Sequence, residues 1–453
     1  MTLRRVLVAN RGEIAVRVIR ACVDEGLEAV AALSSADMES LPAHLADRAV
    51  CIGPPAPAES YLDVNRVVAA ATGTGCDAVH PGYGFLSERP ELASACEEHG
   101  VTFVGPSPET IRRGGDKVGA RELARKLGIP VGRGSDSVED GAEAAAVAAS
   151  VGYPVILKAA AGGGGKGMAV VSDPSQIAGH FDAVSFQALQ AFGDGRVYLE
   201  HYITNARHVE VQALADRSGN VVHLGERDCS SQRRYQKLLE EAPAADLPGR
   251  LRAELHDAAV TLARELAYVG AGTIEFVVDL DREEFSFLEV NTRIQVEHPV
   301  TEMVTGIDIV RQQLRIAGGE RLAIRQEDVE LRGHAIECRI NAEVPEEGFR
   351  PSPGRLTRWV APQSSYVRVD THCYPGYIVP PYYDSLLAKI IAWGEKRRVA
   401  IERMDRALGQ LRVDGVCTTA PFHHGVMRHP DFRAGRVNTR WVEEVFLPAW
   451  MPA

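Results

Sequence analysis

The sequence predicts an α/β protein of about three domains, from a length of 453 residues at roughly 150 per domain. Two patterns set the class. The first third alternates short apolar strands with helical stretches, which is the signature of a parallel sheet. From Val155 to about Gln295 the character changes to short strands joined by glycine-rich or charged turns. Apolar residues at 45% and charged residues at 25% match a globular average of roughly 45–50% and about 25%, which excludes a disordered or collagen-like chain. No internal repeat or low-complexity linker appears, so the domains are expected to pack tightly.

In order along the chain, Arg5–Ala9 reads as a strand, and Ile14, Ala15, Val18, Ile19 and Cys22 recur at helical spacing until Gly26. Glu28–Leu33, Cys76–His80 and Val101–Val104 read as further strands. A dinucleotide site is disfavoured, because the first strand runs into Asn10-Arg11-Gly12-Glu13 and lacks the G-x-G-x-x-G turn. Asp116 is placed to cap a helix carrying Ala120, Leu123, Ala124 and Leu127, and Ser137-x-x-Asp140 to open an Ala-rich helix ending at Gly152-Tyr153-Pro154. The last part carries strand signals at Gly333–Ile340, Tyr366–Asp370 and Leu386–Trp393, with helices near Val399–Leu411 and Trp441–Val445.

Between Pro154–Lys158 and Ala169–Val171 lies Ala161-Gly162-Gly163-Gly164-Gly165-Lys166-Gly167-Met168. Gly167 stands where a Walker A loop needs Ser or Thr, and a strand follows rather than a helix. What remains is a strand–loop–strand flap whose bare backbone N–H groups suit phosphates. A plain surface turn needs at most one or two glycines, so the phosphate reading is preferred.

The sharpest pattern is Gly272–Val278 followed by Glu284–Asn291 around a turn at 279–283. Pairing symmetric about Arg282 sets Glu275 opposite Glu289, and facing like charges call for a cation. Glu289, Asn291, Arg293, Gln295 and Glu297 then fall on alternate positions, so an extended strand would line one surface with them. Oxygen donors without thiolates suit Mg²⁺. A solvated sheet face would also alternate, but not usually as acid, amide, arginine, amide and acid.

The chain is acidic, 61 Asp and Glu against 50 Lys and Arg for a net −11, which argues against broad nucleic-acid or anionic-membrane binding. Yet Arg227–Lys237 holds four cations and one acid. With Lys117, Lys158 and Lys166 it suggests an anionic ligand held between cationic loops and a metal site. A surface salt-bridge patch with Glu226, Glu240 and Glu241 is the bland alternative. The eight cysteines are no closer than twenty positions, so neither a C-x-x-C pair nor a disulfide scaffold is expected. No secretory h-region is evident at the start, and no apolar run nears the ~20 residues of a membrane span. The expectation is a cytoplasmic protein without nucleic-acid or membrane partners.

Longer motifs carry a resemblance over essentially the whole chain. Val8-Ala9-Asn10-Arg11-Gly12-Glu13-Ile14-Ala15, His80-Pro81-Gly82-Tyr83-Gly84-Phe85-Leu86-Ser87-Glu88, Glu226-Arg227-Asp228-Cys229-Ser230, Glu289 through His298 and Gly333 through Asn341 resemble the signatures of the biotin carboxylase family, the ATP-grasp subunit of biotin-dependent acyl-CoA carboxylases. The resemblance implies an N-terminal parallel α/β domain over 1–113, an ATP-grasp domain over 114–332 with a mobile glycine-rich lid at about 131–203, and a C-terminal α+β domain over 333–453. It implies ATP- and bicarbonate-dependent carboxylation of biotin through carboxyphosphate, the first half-reaction of an acetyl-CoA type carboxylase, with Mg²⁺ or Mn²⁺ as metal.

By the same resemblance, Lys117 and Lys158 contact ATP phosphates, as do Gly163, Gly164, Gly165 and Lys166 in the lid. Met168, Glu200, His201, Ile203, His208, Gln232 and Tyr235 bind the rest of the nucleotide. Glu275, Glu289 and Asn291 hold the metal, Lys237, Arg293, Gln295 and Val296 hold bicarbonate, Glu297 is the general base, Arg339 stabilises the biotin enolate, and Tyr83 lies near biotin. Tyr235, Ser231 and His201 depart from the family pattern; the first two are expected in the nucleotide-side loop, so they bear on nucleotide affinity. No Met-Lys-Met is present, so biotin is expected on a separate biotin carboxyl carrier protein. A carboxyltransferase is the further partner implied, and a homodimer is the assembly. Arg293 through Glu297 and Arg339 favour this over a ligase joining a carboxylate to an amine. The full set of metal and base residues argues against a non-catalytic nucleotide sensor.

Overall fold

The computed structural model describes residues 3–160 and 167–450. Strands β1 (Arg5–Val8), β2 (Glu28–Ser34), β3 (Arg48–Gly53), β4 (Ala78–His80) and β5 (Thr102–Phe103) form a parallel sheet in the order β3-β2-β1-β4-β5. All four expected strands are present. The fifth, β3, is an edge strand with a short apolar run, Ala49 to Ile52, that is missing from the expected strands; only Ile52 of it is buried. Helix α1 (Gly12–Asp24) leaves β1 directly and buries the predicted Ile14, Ala15, Val18, Ile19 and Cys22. It ends as expected at Gly26, whose φ of 69° is left-handed.

Helix α2 (Lys117–Lys126) does start after Asp116, but that carboxylate makes no capping bond. The chain reaches it straight from the preceding helix Pro108–Gly115, so the first turn is stabilised by backbone bonds instead, Ala120 N–H donating to Asp116 C=O. Helix α3 (Gly141–Val151) is capped by Asp140, whose Oδ1 accepts from the N–H groups of Ala142 (2.9 Å) and Glu143 (2.8 Å). The Ser137-x-x-Asp140 box is therefore corrected by one turn: Val138 is bonded to Val197, which keeps Ser137 in extended chain. Asp140→Ala should cost this helix about 1 kcal/mol. Amide exchange at 142 and 143 should accelerate while the larger sheet described below is unaffected; unchanged exchange there would refute the cap.

Strands β6 (Val155–Ala159), β7 (Met168–Val171) and β8 (Val197–His201) form a small antiparallel sheet, β7-β6-β8. It packs on α3 and α4 (Ile177–Phe192) through Leu157, Val171, Ile177, Phe181 and Leu199. The segment 130–138 joins this lid to the rest: Phe287 N–H donates to Pro130 C=O (2.7 Å), and Ser135 N–H to Leu199 C=O (2.8 Å). A Cβ on Gly134 would overlap the Leu199 carbonyl, so the join requires glycine there.

The largest sheet has eight strands: β9 (Ala206–Ala215), β10 (Val221–Arg233), β11 (Gln236–Ala242), β12 (Gly270–Asp279), β13 (Glu284–Asn291), β14 (His334–Asn341), β15 (Val367–Thr371) and β16 (Leu386–Gly394), ordered β13-β12-β9-β10-β11-β14-β16-β15. It runs antiparallel without a break from the carboxylate hairpin into the C-terminal part. Helix α5 (Gly249–Glu265) covers one core through Leu251, Leu255, Ala259 and Leu262. Helix α6 (His298–Thr305) packs Val300 and Val304 against Ala335 and Ile391. Helix α7 (Arg397–Gln410) buries Ile401 and Met404. The helix expected at Trp441–Val445 is a wider π-type turn over Val442–Phe446.

Glu275 pairs directly with Glu289 between β12 and β13, as the symmetric hairpin requires. The strand does not continue to Glu297. It stops at Asn291, and Glu297 sits at the N-terminus of α6 with φ −82° and ψ 9°. Pro299 at the start of α6 and the turn at 296–297 end the extended conformation. Among the described residues no helix is long and apolar enough to cross a membrane. All eight cysteines are free.

Candidate active site

Register places four charged residues in one row across the large sheet: Arg227 on β10 pairs with Glu210 on β9, Glu210 with Glu275 on β12, and Glu275 with Glu289 on β13. Directly opposed residues share a face, so three carboxylates point the same way. Lys237, at the start of β11, answers them: its Nζ donates to Glu210 (2.5 Å), Glu275 (2.9 Å) and Glu297 (2.7 Å). Arg227, with no exposed surface, donates to Glu210 (2.5 Å), Gln212 (2.8 Å) and Thr301 (3.0 Å). The basic segment is thus no surface salt-bridge patch at its ends Arg227 and Lys237; only Arg234, Tyr235 and Gln236 at its turn are exposed.

The hub extends both ways. Glu275 accepts from His208 Nε2 (2.7 Å), Asn291 Nδ2 (2.8 Å) and Gln295 Nε2 (3.1 Å). Arg293 reaches Asn291 (3.2 Å), Gln295 (3.1 Å) and Glu88 (2.9 Å). Arg339 on β14 bridges Glu297 (2.9 Å) and Glu240 (2.6 Å). Burial pushes the Glu297 carboxyl up, but Lys237, Arg339 and Arg227 together hold it well below the usual carboxylate range. The same contest at Glu275 is won by Lys237 and His208, which keep it ionised. Burial pulls Lys117 down, and Glu289, 2.8 Å from its Nζ, outweighs this and raises it.

A cleft of about 1300 Å³ lies between the lid, the large sheet and the N-terminal sheet, over this hub. Lys117, Lys158, Met168, Glu200, His201, Ile203, His208, Gln232, Tyr235, Lys237, Glu275, Glu289, Asn291, Arg293, Gln295, Val296, Arg339 and Tyr83 all line it. Glu297 does not; it has no exposed surface and lies behind Lys237 and Arg339. Gly163, Gly164, Gly165 and Lys166 lie outside the described residues, between Lys158 and Met168, which pair across β6 and β7.

For a divalent cation, the oxygen donors Glu275, Glu289 and Asn291 are brought side by side and fit a hard ion. The ligand atoms of His208, Glu210 and Glu275 also lie within 4.8 Å of one another, a closer set than the sequence suggests. Glu289 is meanwhile engaged by Lys117. Glu210 is the member of this cluster that the motifs miss; the alternation His208, Glu210, Gln212 on β9 is the signal that could have found it. Arg121, ion-paired with Glu200, and Glu88, paired with Arg293, carry no role that their own motifs announce. Ser231 is corrected: it is buried within β10 and lines a separate small cavity with Arg207, Asp228 and Glu241, not the nucleotide side. His201 turns its ring to the Gly152 carbonyl (3.1 Å), leaving its backbone toward the cleft segment.

Sequence families match in the same order as the sheets. "Biotin carboxylase, N-terminal domain" covers residues 2–111, "Carbamoyl-phosphate synthase L chain, ATP binding domain" covers 116–325, and "Biotin carboxylase C-terminal domain" covers 337–444. The biotin carboxylase of Pseudomonas aeruginosa is 51% identical over 444 residues, 98% of this chain and 98% of that one. The chain belongs to the biotin carboxylase family. Biotin carboxylase 1 of Bacillus subtilis is 50% identical over 442 residues, 97% of this chain and 98% of that one. Two solved structures share the whole architecture. The Campylobacter jejuni biotin carboxylase, a β-γ-ATP complex, has a TM-score of 0.95 at 45% identity over 97% of this chain and 98% of that one. The biotin carboxylase domain dimer of Hydrogenobacter thermophilus 2-oxoglutarate carboxylase, with MgADP, ADP and bicarbonate, has a TM-score of 0.94 at 45% identity over 98% of each.

Proposed function

We propose that this biotin carboxylase acts on biotin carried by a separate carrier protein, using bicarbonate activated by ATP as carboxyphosphate, and serves a carboxyltransferase of the acetyl-CoA type. The observation that carries the reading is the convergence of Lys237 and Arg339, both lining the cleft of about 1300 Å³, on a buried, ionised Glu297 just behind them. Lys117 and Lys158 take the phosphates; Met168, Glu200, His201, Ile203, His208, Gln232 and Tyr235 take the nucleoside. Gly163, Gly164, Gly165 and Lys166 are assigned to the same phosphates. Mg²⁺ held by Glu275, Glu289 and Asn291 neutralises β- and γ-phosphate oxygens when bound.

Bicarbonate binds at Lys237, Arg293, Gln295 and Val296. Glu297 removes its hydroxyl proton, an oxygen attacks the γ-phosphorus, and ADP leaves. Carboxyphosphate then breaks to CO₂ and phosphate. The phosphate takes the ureido N–H proton of biotin, and Arg339 steadies the enolate that attacks CO₂. A base held so far below neutrality is weak by itself. Entering bicarbonate competes for Lys237, which returns basicity to Glu297 at the moment it is needed.

Lid closure over this cleft keeps water from carboxyphosphate. Free thiols support a reducing, cytoplasmic setting, and the dimeric relative supports a homodimer. The domain division at 113 and 332 is kept; each matched family lies within one of the three parts. In Mg²⁺ and bicarbonate, free biotin should raise the rate of ADP release. No stimulation by biotin and bicarbonate would overturn the assignment.

A further inference from the structure

Behind Arg339 lie two acids that the reaction above does not use. Glu240 on β11 stands directly opposite Glu337 on β14, and neither has any exposed surface. Directly opposed residues set their side chains on the same face, with Cβ atoms about 4.5–5.5 Å apart. Glu240 Oε1 accepts from Arg339, which two positions along β14 from Glu337 shares that face. The remaining oxygens, Glu240 Oε2 and both of Glu337, have no hydrogen-bond partner among the described residues.

Two buried carboxylates with three empty acceptors and no donor between them are not a stable arrangement. The nearest cations are otherwise engaged. Lys389 on β16 donates to the Val296 carbonyl (2.8 Å) and Glu13 (3.1 Å), and Arg339 is divided between Glu240 and Glu297. Lys237 on β11 serves Glu210, Glu275 and Glu297. From α6 the neighbours are the anion Glu297 and His298, which burial and Lys389 keep neutral. From β10 there is only the Cys229 thiol, kept protonated by burial.

One proton resolves the mismatch, because a protonated Glu337 supplies the missing donor and Glu240 Oε2 the acceptor. We propose that Glu337 and Glu240 share a single proton and act as a positioning pair that holds Arg339 against Glu297. Burial, with Glu240 and Glu297 adding to it against Lys389 and Arg339, drives the Glu337 carboxyl well up. Burial likewise takes Glu240 up to about 7. The pair then carries one negative charge rather than two, enough to anchor one guanidinium without drawing it off Glu297. Its consequence for turnover rests on the reading of Arg339 as the group that meets biotin; the shared proton does not.

Infrared spectroscopy of the full-length protein at about pH 8, above the ordinary carboxylate range, tests the proton. A protonated carboxylic acid band is expected in the wild type and lost in Glu337→Gln; equal spectra would overturn the sharing. Glu337→Gln, a neutral donor of the same shape, should keep its biotin-dependent turnover, and a loss as deep as that of Glu240→Gln would also overturn it. Glu240→Gln should lower biotin-dependent turnover by roughly ten- to a hundredfold, the worth of one charged hydrogen bond. Its bicarbonate-dependent ADP release without biotin, and its KM for ATP, should stay near wild type. Equal losses in all three would make Glu240 a structural residue and end the positioning role. A wild type unmoved by biotin would end that role too by removing the functional reading, while the infrared comparison would still decide the proton.

Discussion

Glu297→Gln is expected to lower turnover by about 10²–10⁴-fold, the range for removal of a general base, while the affinity for ATP stays within error of wild type. The reason lies in placement. Glu297 is fully buried behind Lys237 and Arg339 and does not line the cleft that receives the nucleotide. Gln keeps an acceptor oxygen for both cations and removes one charge from a cluster that also holds Glu210, Glu275, Glu240 and Glu337. The variant gives up the stabilisation that ionised Glu297 draws from these cations, so its urea midpoint should fall somewhat below wild type while the site stays assembled. Isothermal titration with ATP and steady-state ADP release separate the two effects. Loss of ATP binding would make Glu297 an organiser of the site, not its base. Because Lys237, Arg339 and Arg227 hold the Glu297 carboxyl down against burial, it stays ionised in the free enzyme through the neutral range. An acid limb in kcat/KM near neutrality must then come from another group.

The hairpin is legible in the sequence because two-residue periodicity and turn symmetry are local rules. They place Glu275 opposite Glu289, and the structure has that register. The same periodicity fails at Arg293, Gln295 and Glu297, where a helix start brings the side chains together by another route. Long-range partners follow no local rule. Glu210, Arg121 and Glu88 gain their roles only when strand order puts β9 beside β12, the lid hinge beside α2, and the N-terminal loop beside Arg293. Asn10 is a case between the two. It stands in a family motif, and its Nδ2 donates to the carbonyls of Pro81 and Tyr83, both at 2.7 Å, fixing the loop that carries Tyr83 into the cleft. Net charge misleads for a related reason: it averages over a surface, whereas the cleft cations are balanced locally by buried acids, Lys237 alone by three.

Lys237→Met should be the most damaging single change in the sheet. Lys237 is the one side chain that donates to Glu210, Glu275 and Glu297 together among the described residues. Removing one partner of a buried ion pair costs about 3–5 kcal/mol because the remaining charge stays desolvated. In the wild type, Glu275 and Glu297 are held below their unfolded values, so their contribution is present above the ordinary carboxylate range and is lost on acidification. In the variant, burial acts on them with less opposition, and their folded values rise. The native state then binds protons more tightly than the unfolded chain, so the variant loses stability as pH rises from the ordinary carboxylate range toward neutrality. The gap in urea midpoint between wild type and Lys237→Met should be widest near neutral pH and narrow as pH falls. Arg227 and Arg339 remain to pair Glu210 and Glu297, so some carboxylate stabilisation survives even near neutrality. A gap independent of pH would mean that Lys237 stabilises by packing alone. Bicarbonate-dependent ADP release should fall with it at every pH, since the bicarbonate site loses a cation that acid cannot restore.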